Sequence, residues 1–179
     1  MKNNFLPFTK SKKLLNIDKN AKTVKGQKFG YMTAILYLAS SNLSGFNVCP
    51  QASEGCRNAC LVSSGHGAFK NVLNGRISKE MIQESKINVI RSLEYYLNAT
   101  GDEINQFIKL AERKGLKPCV RLNGTSDISF ENTTIFSDFP NVQFYDYTKV
   151  YKRALKHAEG KLPSNYHLTY SLNEDNYDL

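Results

Sequence analysis

Pro118-Cys-Val-Arg-Leu-Asn-Gly-Thr-Ser-Asp127 decides how the chain is read, because a short apolar run passes directly into small polar residues. Pro118 to Asn123 reads as a buried strand, and Gly124 to Asp127 as a ligand-facing turn. The pattern recurs on either side. Thr33-Ala-Ile-Leu-Tyr-Leu-Ala39 runs into Ser40-Ser41-Asn42, Val142-Gln-Phe-Tyr-Asp-Tyr147 into Thr148-Lys149, and Tyr166-His-Leu-Thr-Tyr-Ser171 into Asn173-Glu-Asp-Asn176.

Helical patterns separate these strands. Ile82, Val89, Ile90, Leu93 and Leu97 recur at helical spacing and predict a long helix over 76–97, broken by Asn98-Ala-Thr100-Gly101. A second helix is expected from about Asp102 to Lys114, with Ile104, Phe107, Ile108 and Ala111 facing inward and Gly115 as its stop. A short helical segment over 131–138 and a helix over 151–159, closing at Gly160, complete the series. Strand and helix in alternation predict an α/β fold: a parallel sheet of about four strands covered by helices, partial-barrel-like. In such folds ligands sit outside the carboxyl ends of the strands, so the four polar clusters would share one rim. Asn123, Ser126, Asp127, Asp146, Lys149 and Glu174 are the residues placed there to bind a small molecule. Taken singly, each is equally at home capping a turn.

The first strand delivers the chain to CPQASEGCRNACLVSSGHG, residues 49–67, which holds three of the four cysteines. If a helix starts near Cys56, then Cys56 and Cys60 lie on one face of it, with Cys49 wrapped toward them. An iron–sulfur cluster, a zinc site, or a disulfide with a spare thiol would each use three such thiols. The chain opens MKNNFLPFTKSKK without the apolar core of a signal peptide, and no later stretch has the length of a membrane span. A cytoplasmic, reducing setting is therefore expected, where grouped cysteines bind metal more often than they cross-link. Three thiolates hold a 4Fe-4S cubane with one iron open. Zinc needs a fourth ligand, for which His66, in a Gly-His-Gly turn, is the candidate, though such a turn also suits a solvent-exposed histidine. Cys119, at the other end of its strand, reads as a buried apolar side chain outside the site.

The chain's 179 residues suffice for one domain with its own core. Its net charge of +8 is concentrated at one end. Residues 1–28 carry eight lysines against Asp18 alone, while the remainder is nearly neutral. The organisation expected is a basic N-terminal arm over 1–28 followed by one α/β domain over 29–179. An arm of this kind suits phosphate, but a solvated tail is its commoner role, and nucleic acid is not the favoured partner.

Lys22-Thr-Val-Lys-Gly-Gln-Lys-Phe-Gly30, the Cys49-Pro50 to Cys60-Leu61 segment, Arg121-Leu-Asn-Gly-Thr-Ser-Asp-Ile128, Phe139-Pro to Tyr145-Asp-Tyr-Thr-Lys149, and Tyr166-His-Leu-Thr together resemble the phage gene product 88 family. The resemblance spans most of the chain from Lys22 to Asn176. It implies a phage-encoded protein at work in the host cytoplasm, and a shortened member, since relatives continue past the fourth strand. A more distant likeness is to radical S-adenosylmethionine enzymes, which also place a three-cysteine loop after the first strand of a partial parallel barrel. Their cysteines are usually spaced by three and then two residues, against six and then three here.

Two functions follow as expectations. In the first, Cys49, Cys56 and Cys60 carry an iron–sulfur cluster, with S-adenosylmethionine as a further ligand, and the rim residues bind a small-molecule substrate. In the second, the cysteine loop is a structural zinc module with His66 as fourth ligand, and the lysine arm meets nucleic acid. The last strand, 166–171, is expected at a sheet edge, where a second copy of the chain would pair to form a homodimer.

Overall fold

A computed structural model describes residues 13–18, 21–62, 65–82, 87–88 and 93–176; the side chains of residues 66, 78–82, 87–88 and 93–96 lie outside that description. In chain order the elements are β1 (Leu15–Ile17), α1 (Ala21–Gly26), β2 (Tyr31–Leu36), α2 (Glu54–Asn58), α3 (Lys70–Glu80), β3 (Met81–Ile82), β4 (Ile87–Asn88), α4 (Leu93–Arg113), β5 (Lys117–Arg121), α5 (Ile135–Asp138), β6 (Gln143–Thr148), α6 (Tyr151–Ala158) and β7 (Tyr166–Tyr170).

The main sheet has five strands in the order β1-β2-β5-β6-β7. The pairs β2·β5, β5·β6 and β6·β7 are parallel, as the alternation of patterns predicts, and β7 forms one edge. The sheet is open, not a closed barrel. Met32, Ala34, Leu36, Val120, Phe144, Tyr166 and Leu168, at alternate strand positions, and Leu122, just past β5, join one core cluster with Ile104, Phe107 and Ala111 of α4 and Ile135 and Phe136 of α5. Because parallel strands must all run the same way, the ends of β2, β5, β6 and β7 meet at one rim.

Three corrections to the sequence reading have local causes. The fifth strand, β1, comes from within the lysine-rich stretch and pairs antiparallel with β2. Leu14 and Leu15 are buried there, and the Glu103 carboxylate on α4 accepts hydrogen bonds from their backbone N–H groups at 2.7 and 2.8 Å. The stretch read as an arm thus contributes β1 and α1 to the fold.

The helix expected over 76–97 is interrupted, since α3 ends at Glu80 and β3 pairs antiparallel with β4. Ile82 and Ile87 are β-branched and suit such a ladder. Val89 and Ile90, which supported the helix, lie outside the described residues.

Asn98 to Gly101 does not break the chain either, because α4 runs through it for 21 residues. A glycine inside a helix costs about 1 kcal/mol, and full burial of Thr100, Ile104, Phe107 and Ala111 outweighs that. The helix stops where expected. Gly115 takes φ +66° while Leu116 and Gly115 donate back to Ala111 and Glu112, a Schellman ending. Among the described residues no helix is long and apolar enough to cross a membrane.

Candidate functional site

At the rim the chain encloses a cavity of about 460 Å³. Cys49, Cys56 and Cys60 share its wall with Asn123, Ser126, Asp127, Lys149 and Glu174, so a single hollow gathers most of the residues placed at the rim from sequence. A larger hollow of about 700 Å³ lies between β1, α3 and α4, but no thiol stands in its wall.

The cysteine loop is shaped by short-range polar bonds. Cys49 N–H donates to Asn47 Oδ1 at 2.9 Å, and Ala52 N–H to Cys49 O at 3.1 Å, which turns the chain toward α2. Ser53 caps α2 by accepting from Cys56 N–H at 3.1 Å. Glu174, from the segment after β7, accepts from Gly55 N–H at 2.7 Å. Gly55 makes this approach possible, because a Cβ there would stand 2.5 Å from the Glu174 carboxylate. Hydrogen bonds from its own backbone N–H, from Ser53 and from Gly55 hold the Glu174 carboxyl below its ordinary range.

The thiols sit among weak partners of their own. Cys49 Sγ accepts from Ser41 N–H at 3.4 Å and donates to Thr125 O at 3.7 Å, while Cys60 donates to Ser40 Oγ at 3.0 Å. Burial, together with the proximity of Cys60, Asp127 and Cys56, pushes the Cys49 thiol up to about 11 despite the Ser41 bond. Among the described residues no three His, Cys, Asp or Glu side chains are drawn together into a metal-ligating group. His66 falls in a 3-10 turn, Gly65–Ala68, and its side chain lies outside the described residues. Cys119 is buried in β5 opposite Thr33, away from the cavity wall, and burial raises its thiol to about 12.

Asn123 organises the turn after β5. Its Oδ1 accepts from Ser126 Oγ and Ile128 N–H, both at 2.8 Å, and its Nδ2 donates to Ile128 O and Asp146 Oδ2. Asp127 N–H reaches Val48 O at 2.7 Å, which ties this turn to the cysteine loop. The Asp127 carboxylate pairs with Arg153 of α6 and accepts from Thr148 Oγ1 and Lys149 N–H. Arg153 is buried, and it also grips Glu131 with two nitrogens, at 2.6 and 2.8 Å. Lys149 Nζ donates to Ser171 Oγ and Leu172 O, holding the chain after β7 against the rim.

Asp146 is the rim residue that the structure relocates. It points into the core two residues short of Thr148, about 7 Å below the strand end, and takes no part in the cavity wall. There it accepts from Asn123 N–H at 2.8 Å and Tyr166 OH at 3.3 Å, so it positions the turn from beneath. Burial raises its carboxyl to about 7, against the lowering effect of the Asn123 N–H and of Arg121. An unfolded chain releases that proton near 3.8 and the folded chain near 7. The group therefore favours the fold fully below the lower value, and its contribution is lost as pH rises through the window between them. Urea midpoints measured from pH 4 to 8 are expected to fall for the wild type relative to Asp146→Asn, by up to about 4 kcal/mol in stability. Parallel curves for the two proteins would show that Asp146 does not titrate in this window.

Sequence reasoning passed over Arg121 and Tyr147, which also line the cavity, with the guanidinium 4.8 Å from the ring centroid. An arginine inside an otherwise apolar strand was the available signal. No curated protein and no solved structure matches the chain. The sequence model of the family described as Gene product 88 matches residues 9–179, which takes in every element of the fold and every residue of the cavity wall. The chain belongs to the Gene product 88 family.

Proposed function

We propose that the rim cavity is a metal-dependent small-molecule site in which Cys49, Cys56 and Cys60 hold an iron–sulfur cluster. The observation that carries this reading is that three thiols from one loop share a cavity wall with polar side chains from the ends of β5 and β6 and the segment after β7. A structural metal alone would not need that second set. The donor set suits the cluster, since three thiolates bind it and leave one iron open to a substrate or an electron.

What the chain's own groups do on loading follows from their present bonds. Cys49 and Cys60, whose thiols donate to Thr125 O and Ser40 Oγ, would have to give up those protons to hold a metal. Ser41 N–H stays on the Cys49 sulfur, where it lowers the basicity of the thiolate. The Ser40 hydroxyl, which accepts from the Cys60 thiol, could donate to its thiolate. The finer form of the reading adds S-adenosylmethionine as co-substrate, on the analogy of a three-cysteine loop after the first parallel strand.

Anaerobic reconstitution with ferrous iron and sulfide tests the reading. A brown protein with about four irons per chain is expected, with an electron paramagnetic resonance signal after reduction with dithionite that changes when S-adenosylmethionine is added. Stoichiometric zinc with no iron uptake would overturn the cluster. An unchanged signal would remove the co-substrate and leave the cluster standing.

A further inference from the structure

Four charged side chains stand in the cavity wall, Arg121, Asp127, Lys149 and Glu174, and three of them are committed. Asp127 is held by Arg153, Thr148 and Lys149 N–H, Lys149 by Ser171 and Leu172 O, and Glu174 by Gly55 N–H. Arg121 differs. Only its Nε is used, donating to Asn123 O at 3.1 Å with Asp146 Oδ1 at 4.0 Å. Its two terminal nitrogens have no hydrogen-bond partner among the described residues, although the side chain is only 24 % exposed. Asn173 Oδ1, also in this wall's lining, is buried and likewise unpartnered among the described residues.

We propose that Arg121 is the recognition point of the cavity for an oxyanion, a carboxylate or phosphate group carried by the small molecule, with the Tyr147 ring as its backing; this rests on the reading of the rim cavity as a small-molecule site. The guanidinium is a planar fork with four N–H groups still to give, and a carboxylate or phosphate accepts two of them side by side. Stacking on Tyr147 holds the plane of the fork before any ligand arrives, and the Nε bond to Asn123 O fixes its direction. Lysine at this position would offer a point charge without that geometry. Arg153 neutralises Asp127, and the charges of Lys149 and Glu174 offset each other, so the charge left over in the wall is that of Arg121 and the group it selects is an anion.

Nuclear magnetic resonance titration of the metal-free full chain with malonate and, separately, with pyrophosphate tests this. Saturable millimolar shifts of the Arg121 Nε–H and Tyr147 signals are expected with at least one probe. A preference for malonate assigns the carboxylate, and a preference for pyrophosphate assigns the phosphate. Arg121→Gln and Arg121→Lys are each expected to weaken binding at least fivefold, while Lys152→Gln, an equal charge change on the exposed face of α6, leaves it unchanged. No saturable shift with either probe, or a loss below fivefold in Arg121→Gln, overturns the proposal. Because the titration is run without metal, it reads the anion separately from the cluster. Failure of metal uptake thus leaves this inference intact, and lost anion binding beside normal metal uptake brings down this inference alone.

Discussion

Arg153→Met is expected to lower the stability of the fold by about 3–5 kcal/mol, because it strands buried carboxylates without a partner. For a chain of this size that amounts to a fall in Tm of about 6–20 °C. The arginine is 4 % exposed and serves Asp127, Glu131 and the Tyr166 hydroxyl at once. Burial alone would depress its charge, but the Glu131 hydrogen bond and the nearby carboxylates restore it. Methionine fills the same volume, so the loss reports the charges and not a cavity. Arg153→Met combined with Glu131→Gln should recover part of the loss. Thermal melts showing a change under 1 kcal/mol for the single variant would mean that water reaches these carboxylates.

Iron uptake gives the second large effect. Cys49→Ala, Cys56→Ala and Cys60→Ala are each expected to reduce it from full loading to background, whereas Cys119→Ala should load fully. A three-thiolate cluster tolerates the loss of no ligand, while a core cysteine contributes only its volume, about 1 kcal/mol. Metal analysis after reconstitution decides the matter. Full loading of Cys56→Ala would defeat the assignment of the ligands.

The rim was legible in the sequence because it is written locally, as apolar runs that end in small polar residues. Asn123 to Asp127 needed no tertiary information to be recognised as a turn, and the thiols were conspicuous by density. Other features depend on distance. Arg153 looks like any basic residue on an amphipathic helix, since its acidic partners lie 22 and 26 residues away. Asp146 reads as a rim residue until strand alternation and depth are known, and then it belongs beneath the turn. β1 has three residues and stands among lysines, so charge masked it until Glu103 and β2 showed where it docks. The helix α4 overrode its own Asn and Gly through burial, which local propensity does not contain.

The bond from Glu174 to Gly55 joins groups 119 residues apart. A ribosome that has just joined Gly55 to the chain still has two-thirds of the chain to make before the carboxylate that accepts its N–H exists. At about 5–20 residues per second that interval is of the order of 6–24 s, during which three thiols stand at a half-built rim without the segment that later hems them in. Metal or oxidant reaching the loop in that window meets a different environment from the one in the finished protein, so the order of synthesis and loading is a variable that purified material does not reveal.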